Sequence, residues 1–306
     1  MRTRKLLLLL LTAFVAVGCN STTPKTRQQV DPGRLDCYDD FTSRHFPVRD
    51  VLVWLPEDYN PEERYAVLYM HDAQMLFDEQ TSWNKQTWNV DSVATAVQRD
   101  GRCRKFIVVG IENHPQNRLT EYMPQRVLDY VPEDNGQLAT FGRENFIADS
   151  YLKMIVEELK PMIDRTYSTL PDAANTAIMG SSMGGLISLY ALCEYPEVFG
   201  AAGCLSTHSP VALCNFEVEA AIWSKAFRDY LTDHLPAVGA NRVYMDYGDQ
   251  TLDEAYAPFQ QQIDQLFFAK GWGEPYFTTR FFAGHAHDER SWQLRLHEPL
   301  EWIFGR

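Results

Sequence analysis

The stretch that most constrains the fold of this chain runs over residues 176–190. It begins with apolar residues typical of a buried strand, passes through a sharp turn at residues 180–184 and continues as an apolar helix. Ser182 stands at the centre of the turn, where the backbone is strained. Larger side chains at Gly180 and Gly184 are expected to collide with that turn, which explains the glycines.

A strand, a sharp turn with a central serine and a helix are typical of the nucleophile elbow of α/β hydrolases. The hydroxyl of Ser182 would stand above the carboxyl end of the sheet. The following helix would direct its first N–H groups and the positive end of its dipole at an oxyanion, and Met183 would supply one of these N–H groups. The same short pattern also occurs in turns without chemistry, so partner residues are needed elsewhere in the chain.

Two later segments supply an acid and a histidine in the chain order that α/β hydrolases use. Strand-like residues 242–247 lead into an acidic turn with Asp249 and Asp253. Strand-like residues 276–282 end in a loop with His285 and His287. Because a serine nucleophile needs a base, and the base needs an orienting carboxylate, these segments predict a catalytic triad.

The chain resembles the putative-esterase family of α/β hydrolases, which includes feruloyl and acetylxylan esterases, esterase D-type thioesterases, enterochelin esterases and mycolyltransferases. Four stretches within residues 51–304 carry the resemblance: 65–77, 180–185, 246–253 and 284–292. The resemblance implies an α/β-hydrolase fold and an ester-hydrolysing activity that needs no cofactor and no metal.

By this resemblance Ser182 is the nucleophile and His287 is the general base. The family's histidine lies a few residues after a glycine and five before a tryptophan, which favours His287 over His285. Asp253 matches the family's Gly-x-x-x-Leu-Asp pattern and is favoured as the acid, whereas Asp249 follows its strand more closely. Both choices stay open at this point.

A second oxyanion donor is expected from the loop after the early strand at residues 67–70, where this fold keeps the partner of the amide beside the nucleophile. Ala73 or Gln74 would donate it. This loop carries His71 and Asp72 where family members more often have His and Gly, and Asp72 is equally well explained as a turn residue.

The N-terminal residues predict export and a lipid anchor. A basic start and an apolar stretch end in small residues before Cys19, so residues 1–18 are interpreted as a lipoprotein-type signal peptide and not as a membrane span. Cys19 would carry the lipid, residues 19–34 would form a polar tether, and residues 35–306 would form a single domain. Asn20 favours the outer membrane of a bacterial envelope over the inner one, with a periplasmic or secreted protein as the alternative.

The composition argues against nucleic acid and metal as partners. The 306-residue chain has a formal net charge of −13, which disfavours binding to a polyanion. The cysteines other than Cys19 lack the spacing of a zinc site. His285, His287 and Asp288 are too few for a metallohydrolase centre, and no motif supplies further ligands.

Alternating strand-like and helical segments predict an α/β fold, with a mostly parallel sheet covered by helices on both faces. Two antiparallel strands are expected within residues 37–56, and core strands at 65–70, 105–111, 176–179, 200–205, 243–247 and 276–282. Helices are expected at 90–98, 144–165, 185–194, 217–234, 253–270 and 290–304. Residues 113–143 are expected to form a loop insertion over the carboxyl end of the sheet, where a substrate would lie.

Aromatic and charged side chains near that insertion are candidates for substrate contact. The aromatic ones would either stack on a sugar or an aromatic acyl group or close a small local core: Trp83, Trp88, Tyr122, Tyr130 and Phe141. The charged ones would either bind a carboxylate or stay solvated: Arg118, Glu121 and Arg126.

Taken together, these patterns predict an exported serine esterase that acts on an acylated carbohydrate, a feruloyl ester or a siderophore ester. Two alternatives keep the same fold. One is an acyltransferase, in which a sugar or lipid hydroxyl replaces water, and the other is an idle hydrolase scaffold that binds a ligand without turnover.

Overall fold

The computed structural model describes residues 23–30, 32–209 and 216–305. The strands in these residues are Thr26–Gln29 (β1), Arg34–Phe41 (β2), Arg49–Leu55 (β3), Ala66–His71 (β4), Phe106–Ile111 (β5), Thr176–Ser181 (β6), Ala201–Leu205 (β7), Arg242–Tyr247 (β8) and Phe277–Phe281 (β9). They form one sheet in the order β1-β2-β3-β5-β4-β6-β7-β8-β9.

The described helices lie between and beside these strands. They are Val90–Arg99 (α1), Arg118–Tyr122 (α2), Gly136–Phe141 (α3), Ala148–Lys153 (α4), Lys160–Thr166 (α5), Met183–Glu194 (α6), Phe216–His234 (α7), Ala257–Ala269 (α8), Glu289–Arg295 (α9) and His297–Phe304 (α10). A π-helical turn at Met154–Leu159 joins α4 to α5, and 3₁₀ turns lie at Ala73–Met75, Gln125–Tyr130, Arg143–Asn145, Ala173–Asn175 and Thr251–Ala255.

The sheet is parallel from β5 through β4, β6, β7 and β8 to β9, and antiparallel from β1 to β3 and on to β5. Every residue of β4 is buried, because helices cover both faces of the sheet. Val67 and Tyr69 belong to one core cluster, and Leu68 and Met70 belong to the cluster on the opposite face. The predicted α/β architecture is therefore confirmed, and the two expected antiparallel strands are β2 and β3. Residues 26–29 of the predicted tether form β1, which pairs with β2.

Three helices that were expected to be continuous are interrupted. The segments at 253–270 and 290–304 each divide into separate elements near a proline, Pro258 and Pro299, and the segment at 144–165 contains a break after the 3₁₀ turn at Arg143–Asn145 and a π-helical turn that ends just before Pro161. Proline lacks the N–H that a helix interior uses, so the regular hydrogen-bond pattern stops and a new helix begins around it. The helix predicted to begin at residue 185 begins two residues earlier, at Met183.

Residues 113–143 were expected to be a loop, and this prediction is wrong. They contain α2, the 3₁₀ turn at Gln125–Tyr130 and α3. Tyr122 and Leu128 are fully buried within the main core cluster, and Tyr130 and Phe141 pack at its edge. The apolar residues follow no single period because the elements are short, so their burial depends on packing against the rest of the domain. Tyr122 therefore belongs to the core, and Tyr130 and Phe141 pack against it.

Candidate active site

The predicted elbow is present at the junction of β6 and α6. Ser182 has a φ of 58° and a ψ of −121°, a strained conformation for a residue with a side chain. Its N–H donates to the carbonyl of Leu205 at 2.9 Å, and its carbonyl accepts from the N–H groups of Leu186 at 3.1 Å and His208 at 3.2 Å. These backbone bonds hold the strained serine in place at the start of α6.

The glycines of the turn have different roles from those expected. A Cβ on Gly180 would lie 2.9 Å from the carbonyl carbon of Gly184, so Gly180 is required by the close approach of the two backbones. A Cβ on Gly184 would meet its nearest neighbour, Oδ2 of Asp72, at an ordinary 3.5 Å. The predicted collision at Gly184 is therefore wrong, because the side of the helix facing Asp72 has room for a methyl group.

Asp253 lies at the centre of a dense set of hydrogen bonds. Its Oδ2 accepts from the hydroxyl of Ser206 at 2.6 Å and from the N–H of Gly248 at 2.7 Å, and its Oδ1 lies 2.6 Å from Nδ1 of His287. Burial raises the pKa of the Asp253 carboxyl, but the hydrogen bonds from His287, Ser206 and Gly248 outweigh it and hold the pKa below its ordinary value. Asp253 is therefore a carboxylate aimed at one imidazole nitrogen.

The competing residues of the two loops point elsewhere. Oδ1 of Asp249 accepts from the N–H of Gly284 at 2.7 Å and so stabilises the loop before the histidines. Nδ1 of His285 lies 3.3 Å from the carbonyl of Ser291, and its ring packs against Phe282. Of the two candidate histidines and the two candidate acids, the structure brings His287 and Asp253 together.

His287 and Ser182 line the same cavity. Edge-to-face contacts fix the imidazole of His287 against Trp292, with ring centroids 5.1 Å apart, and against Tyr256, at 5.6 Å. The hydroxyl of Tyr256 lies 2.7 Å from Nδ1 of His208, and the N–H of His208 donates to the carbonyl of Ser182 at 3.2 Å. Sequence reasoning did not find Tyr256, which lies three residues after Asp253, at the end of the turn at Thr251–Ala255, and packs against His287.

The predicted oxyanion donors are Met183 and either Ala73 or Gln74. Met183 is the first residue of α6, where helix N–H groups have no partner within the helix. Gln74 lines the cavity, whereas the methyl group of Ala73 is buried close to Gly110. Asp72, just before them, has a φ of 61°, and this left-handed turn directs the chain into the 3₁₀ turn.

His71 lies below the elbow and is fully buried. Its Nε2 lies 3.1 Å from the hydroxyl of Ser188, which donates to the carbonyl of Gly184 at 2.7 Å. The Ser188 oxygen therefore accepts from Nε2, and Nδ1 accepts from the hydroxyl of Tyr151 at 2.8 Å. Burial lowers the pKa of His71 to about 4, so it is a neutral support of the turn.

The cavity has a volume of about 730 Å³. On one wall Arg118 pairs with Asp72 through bonds of 2.9 and 2.7 Å, and Asn113 donates to the same carboxylate at 2.5 Å. These bonds outweigh the effect of burial and lower the pKa of Asp72. Asp288 and Glu289 also line the cavity, and burial raises the pKa of Glu289.

Of the other residues predicted to contact substrate, the two tryptophans line the cavity, and two of the charged residues are held in ion pairs away from it. Trp83 is 80 % exposed at the cavity, and Trp88 lines the cavity and packs against Trp292 at 5.4 Å. Glu121 instead forms a buried ion pair with Arg49, and Arg126 pairs with Glu194 at 2.9 Å. Of the three charged candidates, Arg118 is the one that reaches the cavity.

A buried polar cluster behind Asp253 was not predicted. It consists of Ser206 after β7, Asp246 on β8, and Trp292 and Arg295 on α9. The sequence signal for it was weak, because Trp292 and Arg295 are spaced as neighbours on one helix face and their partners lie on two separate strands. In the part of the chain that the structure describes, no group of three or more His, Cys, Asp or Glu side chains is placed to hold a metal ion. The described helices also include none that is long and apolar enough to span a bilayer.

The parallel sheet covered on both faces, the elbow after β6 and the cavity above it define an α/β hydrolase. A family model described as "Putative esterase" matches residues 48–303, so the chain belongs to this esterase family and is a carboxylic ester hydrolase. The resemblance drawn from the sequence is confirmed.

Relatives among curated proteins agree with this family. YbbA of Bacillus subtilis is 24% identical over 267 residues, which are 84% of this chain and 93% of that protein. The endo-1,4-beta-xylanase/feruloyl esterase of Xylanibacter ruminicola is 26% identical over 59% of this chain and 22% of that protein. The ferri-bacillibactin esterase BesA of Bacillus subtilis is 26% identical over 60% of this chain and 57% of that protein. The match therefore spans less than two thirds of each of these two esterases.

Solved structures show the same fold. A ferulic acid esterase superposes with a TM-score of 0.63 at 18% identity, covering 89% of this chain and 98% of that one. The enterobactin esterase of Shigella flexneri superposes with a TM-score of 0.62 at 17% identity, covering 93% of this chain and 61% of that one. At these identities the likeness establishes the α/β-hydrolase fold.

Proposed function

We propose that this protein is a serine esterase in which Ser182 is the nucleophile, His287 the general base and Asp253 the orienting acid. The observation that carries the proposal is the 2.6 Å contact between Nδ1 of His287 and Oδ1 of the buried Asp253, made while His287 lines the same cavity as the strained Ser182. This chemistry requires a base held in one tautomer and a serine that the substrate can reach.

The reaction follows from these roles. Nε2 of His287 takes the hydroxyl proton as Oγ of Ser182 attacks the ester carbonyl, and the carboxylate of Asp253 stabilises the imidazolium that forms. The intermediate collapses, the alcohol leaves with the proton from His287, and the acyl group stays on Ser182. A water molecule activated by His287 then attacks the acyl-enzyme and releases the acid.

We assign the oxyanion to the amides of Met183 and Gln74. Met183 is the first residue of α6, so its N–H and the helix dipole both favour negative charge at this point. Gln74 is preferred to Ala73 because Gln74 lines the cavity and Ala73 is buried beneath it.

The charges of the cavity favour a neutral substrate. Arg118 is bound through two hydrogen bonds to Asp72, so its charge is already compensated. Asp288 and Glu289 also line the cavity, and neither forms an ion pair with a described residue of the lining. An ester that carries several negative charges would be repelled by these carboxylates.

The polar and aromatic lining favours a carbohydrate ester. Amide side chains that can bind sugar hydroxyls line the cavity: Gln74, Asn84, Gln86 and Asn113. Trp83 offers an exposed ring for stacking, and the volume accommodates a ligand of one or two rings. We therefore propose that the substrate is a neutral acylated carbohydrate, with an acetyl or a feruloyl group as the acyl part.

A panel of esters tests this assignment. The purified protein is assayed with p-nitrophenyl acetate, acetylated xylo-oligosaccharides, feruloylated arabinose and an anionic catecholate siderophore triester. We expect kcat/KM for the sugar esters to exceed that for the triester by about tenfold or more at low salt, with the difference shrinking as salt rises. Preference for the triester would contradict the substrate class and leave the esterase assignment intact. Lack of turnover of every ester would favour an idle scaffold.

We further infer that the protein is exported and attached by a lipid on Cys19 to the bacterial envelope, on the outer membrane. The support is the basic start, the apolar stretch and the small residues before Cys19, all of which lie outside the described residues. A location in the envelope is compatible with an enzyme that meets polymeric or extracellular esters.

A further inference from the structure

Three buried residues lie on the side of Asp253 that is turned away from His287. Asp246, Ser206 and Arg295 are at most 1 % exposed. Arg295 donates from Nε to Oδ2 of Asp246 at 3.2 Å and from Nη2 to Oδ1 of the same carboxylate at 2.9 Å. Nη2 also donates to the hydroxyl of Ser206 at 2.7 Å. The cluster thus joins Asp246 to Asp253 through one guanidinium and one hydroxyl.

The direction of the Ser206 hydrogen bonds follows from its partners. Its oxygen lies 2.9 Å from Nε1 of Trp292 and 2.7 Å from Nη2 of Arg295, and both of these groups only donate. The Ser206 oxygen therefore accepts twice. Its one proton points to Oδ2 of Asp253 at 2.6 Å. Ser206 thus stabilises the carboxylate form of Asp253 and leaves Oδ1 for His287.

The charges of the cluster are unequal. Arg295 lies against Asp246, and its Nη2 is 3.9 Å from Oδ2 of Asp253. One positive and two negative groups leave a formal charge of −1 until His287 takes up a proton. Burial raises the pKa of Asp246, and the guanidinium opposes this by favouring the carboxylate. Charges this deeply buried interact far more strongly than exposed ones.

We propose that Asp246 and Ser206 are positioning residues that set, in opposite directions, the pH at which His287 becomes an active base. Asp246 compensates the charge of Arg295, so that Asp253 keeps its full attraction for the imidazolium. Ser206 shares the charge of Asp253 and weakens that attraction. This inference rests on the proposed triad.

Other polar groups also face His287. Asp288 lies on its own loop, Asp253 lies in the turn at Thr251–Ala255, Tyr256 lies at the end of that turn, and Glu289 and Arg295 lie on α9. Asp72 and Arg118 line the same cavity. All of them are retained when Asp246 or Ser206 is replaced. A shift in either variant therefore reports the replaced group.

The test is the pH profile of kcat/KM for p-nitrophenyl acetate in Asp246→Asn and Ser206→Ala. In Asp246→Asn the uncompensated guanidinium opposes the imidazolium, so the midpoint of the acid limb should fall by about half a unit to one unit. In Ser206→Ala the carboxylate of Asp253 loses a donor and holds the imidazolium more tightly, so the midpoint should rise by about half a unit.

Asp36→Asn is the matched control. Asp36 is also a buried carboxylate, which accepts from Nε of Arg34 at 2.9 Å and from the hydroxyl of Tyr167 at 3.0 Å, on strand β2 far from the elbow in the sheet order. Its replacement should lower the melting temperature and leave the midpoint where it is in the unchanged protein. Circular dichroism and titration with a fluorophosphonate probe measure the folded, reactive fraction of each variant.

Shifts of both midpoints in the same direction, or lower activity at an unchanged midpoint, would overturn the inference and make the cluster purely structural. If Asp246→Asn does not fold, Ser206→Ala decides by itself, and an unmoved midpoint refutes the inference. If the unchanged protein does not hydrolyse p-nitrophenyl acetate, the proposed esterase function itself is contradicted. The two failures are therefore distinguishable.

Discussion

Nδ1 of His287 lies 2.6 Å from Oδ1 of Asp253, although 34 positions separate the two residues in the chain. A bridge between Gln250 and Ala286 aligns the loops after β8 and β9, and the carbonyl of His285 accepts from the N–H groups of both Asp249 and Gln250 at 3.1 Å. The carboxylate of Asp249 accepts from the N–H of Gly284, and the ring of His285 packs against Phe282, so both side chains are engaged within the loops. The remaining acid and histidine meet above the sheet.

The first prediction concerns the nucleophile. Ser182→Ala should keep its fold and lower kcat by roughly 10⁴-fold to 10⁶-fold, as removal of a triad member does in other hydrolases. Steady-state kinetics with p-nitrophenyl acetate measures the loss. Labelling by a fluorophosphonate probe should disappear in the same variant. Turnover close to that of the unchanged protein would eliminate Ser182 as the nucleophile.

A second prediction distinguishes the paired candidates. His287→Ala and Asp253→Asn should lower kcat by about 10³-fold or more, because the base is lost in one variant and misoriented in the other. His285→Ala and Asp249→Asn should retain activity within about tenfold, since they affect loop packing. The four variants are compared by kcat at equal folded fractions. If Asp249→Asn is the inactive variant, the acid is reassigned.

Tyr256 should support the turn at Ser182 through its hydrogen bond to His208. Tyr256→Phe should lower kcat by about fivefold with little change in KM, because a hydrogen bond of about 1 kcal/mol to His208, which itself donates to the backbone of Ser182, is lost. Tyr69→Phe is the control, since Tyr69 is buried and its hydroxyl has no hydrogen-bond partner among the described residues. If both variants behave alike, the hydroxyl of Tyr256 has no part in turnover.

The turn should not tolerate a methyl group at Gly180. Gly180→Ala places a Cβ 2.9 Å from the backbone of Gly184, and the resulting overpacking should lower the free energy of unfolding by about 2 kcal/mol or more. Gly136→Ala, at the exposed start of α3 with nothing within 4 Å of the added Cβ, should be neutral or stabilising by up to about 1 kcal/mol. Urea denaturation measures both. Equal stability of the two variants would refute the packing argument.

The anchor is tested in a Gram-negative host. The unchanged protein should fractionate with the membranes, and Cys19→Ser should be found in the soluble periplasmic fraction, because the acyl chains are attached to this cysteine. Labelling with a radioactive fatty acid should follow the same pattern. Unchanged protein in the soluble fraction would contradict lipid attachment.

Much of the fold was predictable because its signals are local. Apolar runs identified β4, β5 and β6, and the glycines around Ser182 identified the turn between β6 and α6. Residues 113–143 were wrongly predicted to be a loop because their elements are too short to display a period. Their side chains become part of the core only when they meet the rest of the domain.

By itself the sequence determined the α/β class, the family and the serine at the elbow, since each depends on residues within a few positions of one another. The tertiary structure alone decided which acid meets which histidine, that Arg118 is committed to Asp72, and that Arg295 lies between Asp246 and Asp253. These contacts join separate strands and loops, and their distances depend on the register of the sheet. A pattern read along the chain does not contain that register.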